Sequence, residues 1–591
     1  MYTELKSYQV IIQLLKEYGI KKLVLSPGAR NVPFVHSVEE DSFFECYSVV
    51  DERSAAYFAL GLSQESGEPV LISCTSSTAT CNYWPAVAEA CYQGVPIVVL
   101  TSDRDPQMLR NREDQMIDQV GMFDRHVKAS VNLPIVKDDD DLLYCTRLVN
   151  EALLELNHRG TGPVHINVPM KYYSNSFPVR CLPAVKKIDR VCLYDGEEVW
   201  AAKARDLISA KRILVVCGQS TGKARELDQA LVDFSEKYGC AVAVEHMSNV
   251  HIPGSFSASV CMDTYYVSDK TFEGLLPDIV ISFGGNVMSG IKAMLRRYPD
   301  AYEHWLVQED GAICDIFKSV KNVFECSPEY FFRRMTAAKE AGEVDTSYRD
   351  KVLSYAGSVD YPDISWSNIY AIKGFLTRVK PGSILHASIN SAIRISNFYK
   401  LPEGVTYFAN IGTYGIDGCM SSFLGQAAAS PERDAYLIIG DLSFFYDMNS
   451  LRIRHLGSNV KILLVNNHGG EEFYYNGMWQ DETSDLHTTA RHTDVAEGWV
   501  RSRGIEYFSA HNSDEFDSAI EEFSSVEGKP ALLEVFTEMS TDSKAVMDLY
   551  DYSRPRDIVS ETKRKGKELV KSTIGKETAL KVADKLGIHL K

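Results

Sequence analysis

Residues 435–470 read AYLIIGDLSFFYDMNSLRIRHLGSNVKILLVNNHGG. An apolar run from Ala435 to Ile439 ends in Gly440-Asp441, a helical stretch follows, and a second run from Lys461 to Val465 ends in Asn466-Asn467. The pattern predicts strand, crossover helix and strand, with a carboxylate and a carboxamide at the two carboxyl ends. Two neighbouring parallel strands bring such ends together, so Asp441 and Asn467 are placed to face one ion. Hard oxygen ligands suit Mg²⁺ better than zinc, and Mg²⁺ keeps places for phosphate oxygens and water. A phosphorylated cofactor is therefore implied. Gly-Asp or Asn-Asn alone is an ordinary turn; the two together, each closing a strand-like run, point to a site.

The flanking chain repeats this alternation. Over 358–540, Ser383–His386, Tyr407–Asn410 and Ala531–Phe536 supply further strands, and Gly415-Ile416-Asp417-Gly418 forms a glycine-rich turn into a helix, where backbone can approach a ligand. Over 1–182, Lys22–Leu25, Cys46–Val50, Val70–Cys74, Pro96–Leu100 and Val164–Val168 read as buried strands separated by short helices. Over 183–357, Arg212–Val216, Ala241–Val244 and Asp278–Ser282 make a third set after a polar linker. The expected architecture is α/β: three doubly wound parallel-sheet domains, at 1–182, 183–357 and 358–540, followed by a basic helical tail at 541–591 with Leu580, Val582, Ala583 and Leu586 as its apolar stripe. Ligands in such sheets gather at strand carboxyl ends. Gly218 to Lys223 is not a P-loop, because only three residues separate its glycines and Ala224 follows the lysine. Gly284-Gly285-Asn286-Val287, a lone glycine pair at a strand end, is no basis for a bound nucleotide.

Composition narrows the function classes. The 591 residues suffice for three or four domains, and 45% hydrophobic with 24% charged residues is ordinary for a globular protein. A formal net charge of −18 opposes general binding to nucleic acid or an anionic membrane. Thirteen cysteines without a CxxC pair read as buried or neutral thiols in a reducing compartment. The N-terminus lacks a signal-peptide core and no run reaches membrane-span length, so a cytoplasmic location is expected.

Gly440-Asp441 followed by Asn466-Asn467 resembles the diphosphate-anchoring motif of thiamine diphosphate enzymes. Gly440-Asp441-Leu442-Ser443-Phe444 is similar to the form found in the 2-succinyl-5-enolpyruvyl-6-hydroxy-3-cyclohexene-1-carboxylate (SEPHCHC) synthase family of menaquinone biosynthesis. Four loops of the first domain, Ser26-Pro27-Gly28-Ala29-Arg30, Asp51-Glu52-Arg53, Thr75-Ser76-Ser77-Thr78 and Thr101-Ser102-Asp103-Arg104, resemble that family's pyrimidine-binding domain. The resemblance implies thiamine diphosphate and Mg²⁺, with Asp441, Asn467 and Gly469 as metal ligands. Around the cofactor it places Glu52, Thr78, Asn82, Gly415, Ile416, Gly440, Leu442, Ser443 and Gly470. Glu52 is the expected catalytic acid, because a glutamate held out of bulk water shares a proton with the aminopyrimidine at neutral pH. Ile416 is the expected wedge beneath the bent cofactor. In thiamine enzymes the glutamate comes from the partner subunit, which implies a homodimer, or a dimer of dimers, with active sites at the subunit interface.

The same resemblance implies decarboxylation of 2-oxoglutarate and addition to isochorismate. Arg30, Arg104 and Gln115 fall on acceptor positions, Gln115 also among the catalytic ones, and Ser391 and Arg394 on donor positions. Lys292 and Glu472 complete the substrate set. Several positions depart from the pattern. Asn410-Ile411-Gly412 has lost an arginine, Ala29 replaces a serine, Asp114 an asparagine, and Glu471-Glu472-Phe473 puts an acid where an aliphatic residue usually faces the substrate. One lost arginine-carboxylate bond in a dry pocket costs on the order of 2–5 kcal/mol. A different 2-oxo acid such as pyruvate, with an acceptor such as a sugar, is therefore a second expectation. A non-catalytic scaffold is a third, and Glu52 argues against it.

Overall fold

In the computed structural model the described residues are 1–220, 225–262, 267–359, 361–475 and 487–552. They divide into two units, Met1–Gly196 with Gln308–Cys326, and Glu197–Val307 with Ser327–Lys591.

In the first unit the strands are β1 (Lys22–Leu25), β2 (Glu45–Ser48), β3 (Val70–Cys74), β4 (Ile97–Arg104), β5 (Ser130–Asn132) and β6 (Val164–Met170), parallel throughout in the order β2-β1-β3-β4-β6-β5. Side chains alternate between two buried faces, as a strand's two-residue period requires. Leu23, Leu25, Leu71, Val98 and Leu100 enter one core, while Val24, Val70, Ile72, Ile97 and Val99 enter the other. Helices cover both faces, which is why these strands read as continuous apolar runs. Strand β2 corrects the expectation of a buried strand: as an edge strand pairing only with β1 it leaves Glu45 and Cys46 exposed. The strand β5 was hidden in the sequence by its length of 3 residues. A further parallel pair, β7 (Asp189–Cys192) with β13 (Val320–Glu325), also lies in this unit.

In the second unit β8 (Ile213–Cys217), β9 (Ala241–Val244), β10 (Ser255–Ser257), β11 (Ile279–Phe283) and β12 (Glu303–Val307) run parallel as β10-β9-β8-β11-β12. The last sheet comprises β14 (Ile384–Ala387), β15 (Thr406–Phe408), β16 (Ala435–Gly440), β17 (Val460–Asn466), β18 (Glu506–Ala510) and β19 (Ala531–Phe536), in the order β15-β14-β16-β17-β19-β18. Three parallel-sheet α/β arrangements are thus present. In each, the chain steps outward from its first strand and then returns to that strand's other side. The switch points lie between β1 and β3, β8 and β11, and β14 and β16, where crevices open at strand carboxyl ends.

Helix Met539–Tyr552 is the described part of the tail. The rest of the tail, with the Leu580–Leu586 stripe, and residues 221–224 of the Gly218–Lys223 stretch lie outside the described residues. All thirteen cysteines are free, seven of them buried and Cys46, Cys81, Cys181 and Cys314 exposed. Among the described residues no helix is long and apolar enough to cross a membrane.

Candidate active site

Strands β16 and β17 pair in parallel with Gly440 beside Val465, so the residues that follow leave adjacent strand ends at the β14–β16 switch point. Asp441 is buried. Its Oδ1 accepts from Leu442 N at 2.6 Å and its Oδ2 from Gly469 N at 3.0 Å, which ties the two loops together through one carboxylate. Gly469 has φ +154°, and a Cβ there would lie 2.7 Å from Thr489 O and 2.8 Å from Met539 Sδ, so the turn needs glycine. The two asparagines divide their work. Asn466 Nδ2 points inward to Glu534 Oε1 at 2.7 Å. Asn467 Nδ2 donates to Glu471 Oε2 at 2.8 Å and to Asp542 Oδ2 at 3.1 Å, leaving its buried Oδ1 without a protein partner among the described residues.

That atom decides whether a metal fits. An unpaired buried carbonyl oxygen is costly, and here it accompanies a buried carboxylate. The two supply hard oxygen donors of the kind Mg²⁺ takes when phosphate and water complete its shell. Among the described residues no group of three His, Cys, Asp or Glu side chains could hold a metal. His492 Nε2 stands 3.2 Å from Asp441 Oδ2, and the carboxylate raises the His492 pKa.

The glycine turn joins the same cluster. Ser443 Oγ donates to Ile416 O at 2.5 Å, fixing Gly415-Ile416-Asp417-Gly418 against the helix Asp441–Tyr446. Ile416 is half-buried. A Cβ at Gly440 would meet nothing within 4 Å, so the space above that strand end is open. Gly470 N donates to Thr489 O at 2.7 Å, and Leu442 is half-buried beside the turn. The predicted residues Gly415, Ile416, Gly440, Asp441, Leu442, Ser443, Asn467, Gly469 and Gly470 are therefore brought to one crevice.

Ser391 begins the helix Ser391–Ser396 after β14, and its hydroxyl donates to Glu471 Oε1. Arg394 is exposed on that helix. Burial raises the carboxyl pKa of Glu472, and the Arg394 charge draws it back down. Ile411 is buried; its carbonyl accepts from Asn286 Nδ2 at 3.2 Å. Lys292 is half-buried, with its pKa lowered by burial. Its neighbour Glu245 accepts from Met288 N at 2.9 Å, and burial pushes its carboxyl up to about 7.

The first unit assembles its own crevice. Gly28 follows β1 with φ +155°, and a Cβ there would fall 2.4 Å from Thr75 Cβ, so the loops after β1 and β3 meet backbone to side chain. Arg30, buried, donates to Gln115 Oε1 at 2.7 Å and to Ser76 Oγ at 3.3 Å. Burial first, and Arg104 second, lower the Arg30 pKa. Arg104 in turn bonds Glu113 Oε2 at 3.2 Å. Two guanidiniums and an amide thus share one place suited to a carboxylate-rich ligand. Asp51 caps the helix Glu52–Ser66 by accepting from Ser54 N at 2.9 Å, which sets the half-buried Glu52 as its first residue. Thr78 and Asn82 lie exposed on the helix Thr78–Gln93, Asn82 Nδ2 donating to Thr78 O at 3.0 Å. Ala29 and Asp114 are exposed.

The description "thiamine pyrophosphate enzyme, N-terminal TPP binding domain" matches residues 5–122, and "thiamine pyrophosphate enzyme, C-terminal TPP binding domain" matches residues 390–535. The chain is 36% identical over 565 residues to 2-succinyl-5-enolpyruvyl-6-hydroxy-3-cyclohexene-1-carboxylate synthase of Bacteroides fragilis, covering 93% of this chain and 99% of that protein. It is 37% identical over 568 residues to the synthase of the same name from Phocaeicola vulgatus, with the same coverage of each. The Porphyromonas gingivalis synthase is 30% identical over 584 residues, 93% of this chain and 98% of that one. The chain belongs to the SEPHCHC synthase family of thiamine diphosphate enzymes. Like its family, it is a thiamine diphosphate-dependent enzyme that forms C–C bonds.

Asn368, Asp542 and His492 were not singled out from the sequence. Asn368 opens the helix Asn368–Leu376 and Asp542 lies in the first turn of Met539–Tyr552, places where such residues resemble ordinary capping residues. His492 comes to Asp441 only through tertiary packing, for which the sequence carries no signal.

Proposed function

We propose that the chain is a Mg²⁺-dependent 2-oxo acid decarboxylase and carboligase that joins 2-oxoglutarate to isochorismate, as the SEPHCHC synthase family does in menaquinone biosynthesis. The observation that carries the metal assignment is the buried Asn467 Oδ1, without a protein partner among the described residues, beside Asp441. Asp441, Asn467 and Gly469 would hold Mg²⁺ and the diphosphate, with Gly440, Leu442, Ser443, Gly470, Gly415 and Ile416 completing the cofactor site. Thiamine diphosphate supplies the electron sink on which a 2-oxo acid loses CO₂. Glu52, with Thr78 and Asn82 near it, holds a proton at the aminopyrimidine. Arg30, Arg104 and Gln115 orient the acceptor carboxylates; Ser391, Arg394 and Lys292 orient the donor. The assembly is a cytoplasmic homodimer or dimer of dimers in which Glu52 of one protomer serves its partner's metal turn. The domains span 1–182, 183–357 and 358–540, with the tail at 541–591.

A second reading rests on Ile411 and Glu472. With no cation at 411 and an acid interacting with the Arg394 charge, a donor with a second carboxylate loses one partner and meets a partly neutralised other, which favours pyruvate or a similar 2-oxo acid and a less anionic acceptor. Purified protein with Mg²⁺ and thiamine diphosphate, offered a panel of 2-oxo acids while CO₂ release is followed, decides between the two. Turnover of 2-oxoglutarate and isochorismate that matches any other pair removes the second reading. If that reading is right, Ile411→Arg raises kcat/KM for 2-oxoglutarate by roughly ten- to a hundredfold, since a charged hydrogen bond is worth about 1.5–3 kcal/mol.

A further inference from the structure

Asn467 presents a carbonyl oxygen only if its amide is held the right way round. A carboxamide's two ends have nearly the same shape, and hydrogen-bond partners decide which end points where. Both Asn467 N–H groups are spent on carboxylates, Glu471 Oε2 at 2.8 Å and Asp542 Oδ2 at 3.1 Å. Turning the amide over would set Oδ1 against Asp542 Oδ2, which already accepts from Thr537 Oγ1, and would forfeit the Nδ2 bonds to both acids. The two acids are themselves strapped by one residue: Asn368 Nδ2 donates to both oxygens of Glu471 at 2.8 Å, and Asn368 N donates to Asp542 Oδ1 at 2.8 Å. Thr537 Oγ1 adds a bond to Asp542 Oδ2 at 2.6 Å, and Ser391 Oγ donates to Glu471 Oε1. Asn368 and Asp542 are 0% exposed, Glu471 5% and Asn467 6%.

We infer that Glu471, backed by Asp542 and Asn368, is a positioning residue that presets the Asn467 carbonyl oxygen toward the divalent cation. This rests on the metal-binding role proposed for Asn467. It goes beyond that role by assigning the affinity of the site to an acid that does not itself touch the metal. Partners behind a metal ligand orient it, and their loss typically costs 10–100-fold in metal affinity. The cluster gathers the β17 turn, the starts of the helices Asn368–Leu376 and Ser391–Ser396, and the helix Met539–Tyr552. Ser391, itself a donor-site candidate, is held by the same carboxylate. One acid thus sets the orientation of two side chains of the crevice.

The test is a Mg²⁺ titration of the full-length protein at saturating thiamine diphosphate, read by quenching of tryptophan fluorescence and repeated with Mn²⁺ by electron paramagnetic resonance. Glu471→Leu raises the Kd for both ions about 10–100-fold, whereas the apoprotein melts within a few degrees of the wild type. Glu471→Gln, whose amide oxygen still accepts from Asn467, restores the Kd to within about threefold of wild type on the same scale. A folded Glu471→Leu protein with wild-type Kd overturns the inference, as does an equal loss in the Leu and Gln variants. Should Glu471→Leu fail to fold, Asn368→Ala decides: a severalfold weaker Kd supports the inference and an unchanged one overturns it. Failure of the wild-type protein to bind Mg²⁺ with thiamine diphosphate strikes the metal assignment itself, a separate outcome.

Discussion

Glu52→Gln lowers the turnover of the 2-oxo acid substrate by about 10²–10⁴-fold, the range typical for loss of a positioned general acid or base, and leaves Mg²⁺-dependent cofactor binding within a few-fold of wild type. Glutamine keeps the size and one acceptor oxygen of glutamate but cannot exchange a proton. Glu52 begins the helix Glu52–Ser66, capped by Asp51, so its backbone is anchored independently of its own carboxyl group. The substitution therefore leaves the fold unchanged, and the melting temperature of the apoprotein stays put. The check is a steady-state CO₂-release assay beside a cofactor titration; retained turnover removes Glu52 from the chemistry. The proposed dimer sharpens the test. If Glu52 serves the partner's metal turn, mixing inactive Glu52→Gln chains with inactive Asp441→Asn chains under conditions that exchange subunits restores activity, because each heterodimer regains one intact site. Random pairing returns about a quarter of the wild-type activity, and no recovery favours an active site built within one chain.

The fold could be read where strands were both long and buried on both faces. Ala435–Gly440 and Val460–Asn466 are buried along nearly their whole length because helices cover both sides of the sheet, and the apolar runs Ala435–Ile439 and Ile462–Val465 that this doubled burial requires make the strands visible. Ser130–Asn132 and Ser255–Ser257 are too short to show a period, and Glu303–Val307 carries Glu303 and His304 within it, so these strands leave no legible pattern in the sequence. The candidate site could be read where chemistry sits at strand ends, as with Asp441 and Asn467. It could not be read where packing unites distant segments. In sequence Glu471 and Glu472 are equivalent neighbours. In the structure the turn at Gly469 sends Glu471 beneath the Asn467 amide, and Glu472 stays half-buried, its carboxyl pKa raised by burial and drawn down by the Arg394 charge. Asn368 and Asp542 belong to the cluster only because two helices converge behind β17.

Asp441→Asn separates function from stability. Asp441 contributes the one negative charge proposed to touch the cation, and divalent affinity is set largely by the charge of its ligands. The variant is expected to bind Mg²⁺ at least about a hundredfold more weakly, at the upper end of what changes around a metal ligand cost, with cofactor binding and turnover lost in step. The apoprotein behaves oppositely. Asp441 is buried near two other buried acids, and its charge helps raise the carboxyl pKa of Glu471, after burial and Asp542, and of Glu534, after burial. Removing that charge relieves like-charge repulsion in a region where water screens little, and the amide oxygen of asparagine still accepts from Gly469 N, while the bond from Leu442 N to the other carboxylate oxygen is given up. The loss of the His492 contact at 3.2 Å works against this gain but involves a half-buried ring. The melting temperature of the apo variant is therefore expected to equal or exceed that of the wild type. Adding Mg²⁺ and thiamine diphosphate raises the melting temperature of the wild type, as any ligand of the native state must, and leaves that of the variant unmoved. A variant that is destabilised without ligands, or that still gains from them, shows that Asp441 has a structural role instead.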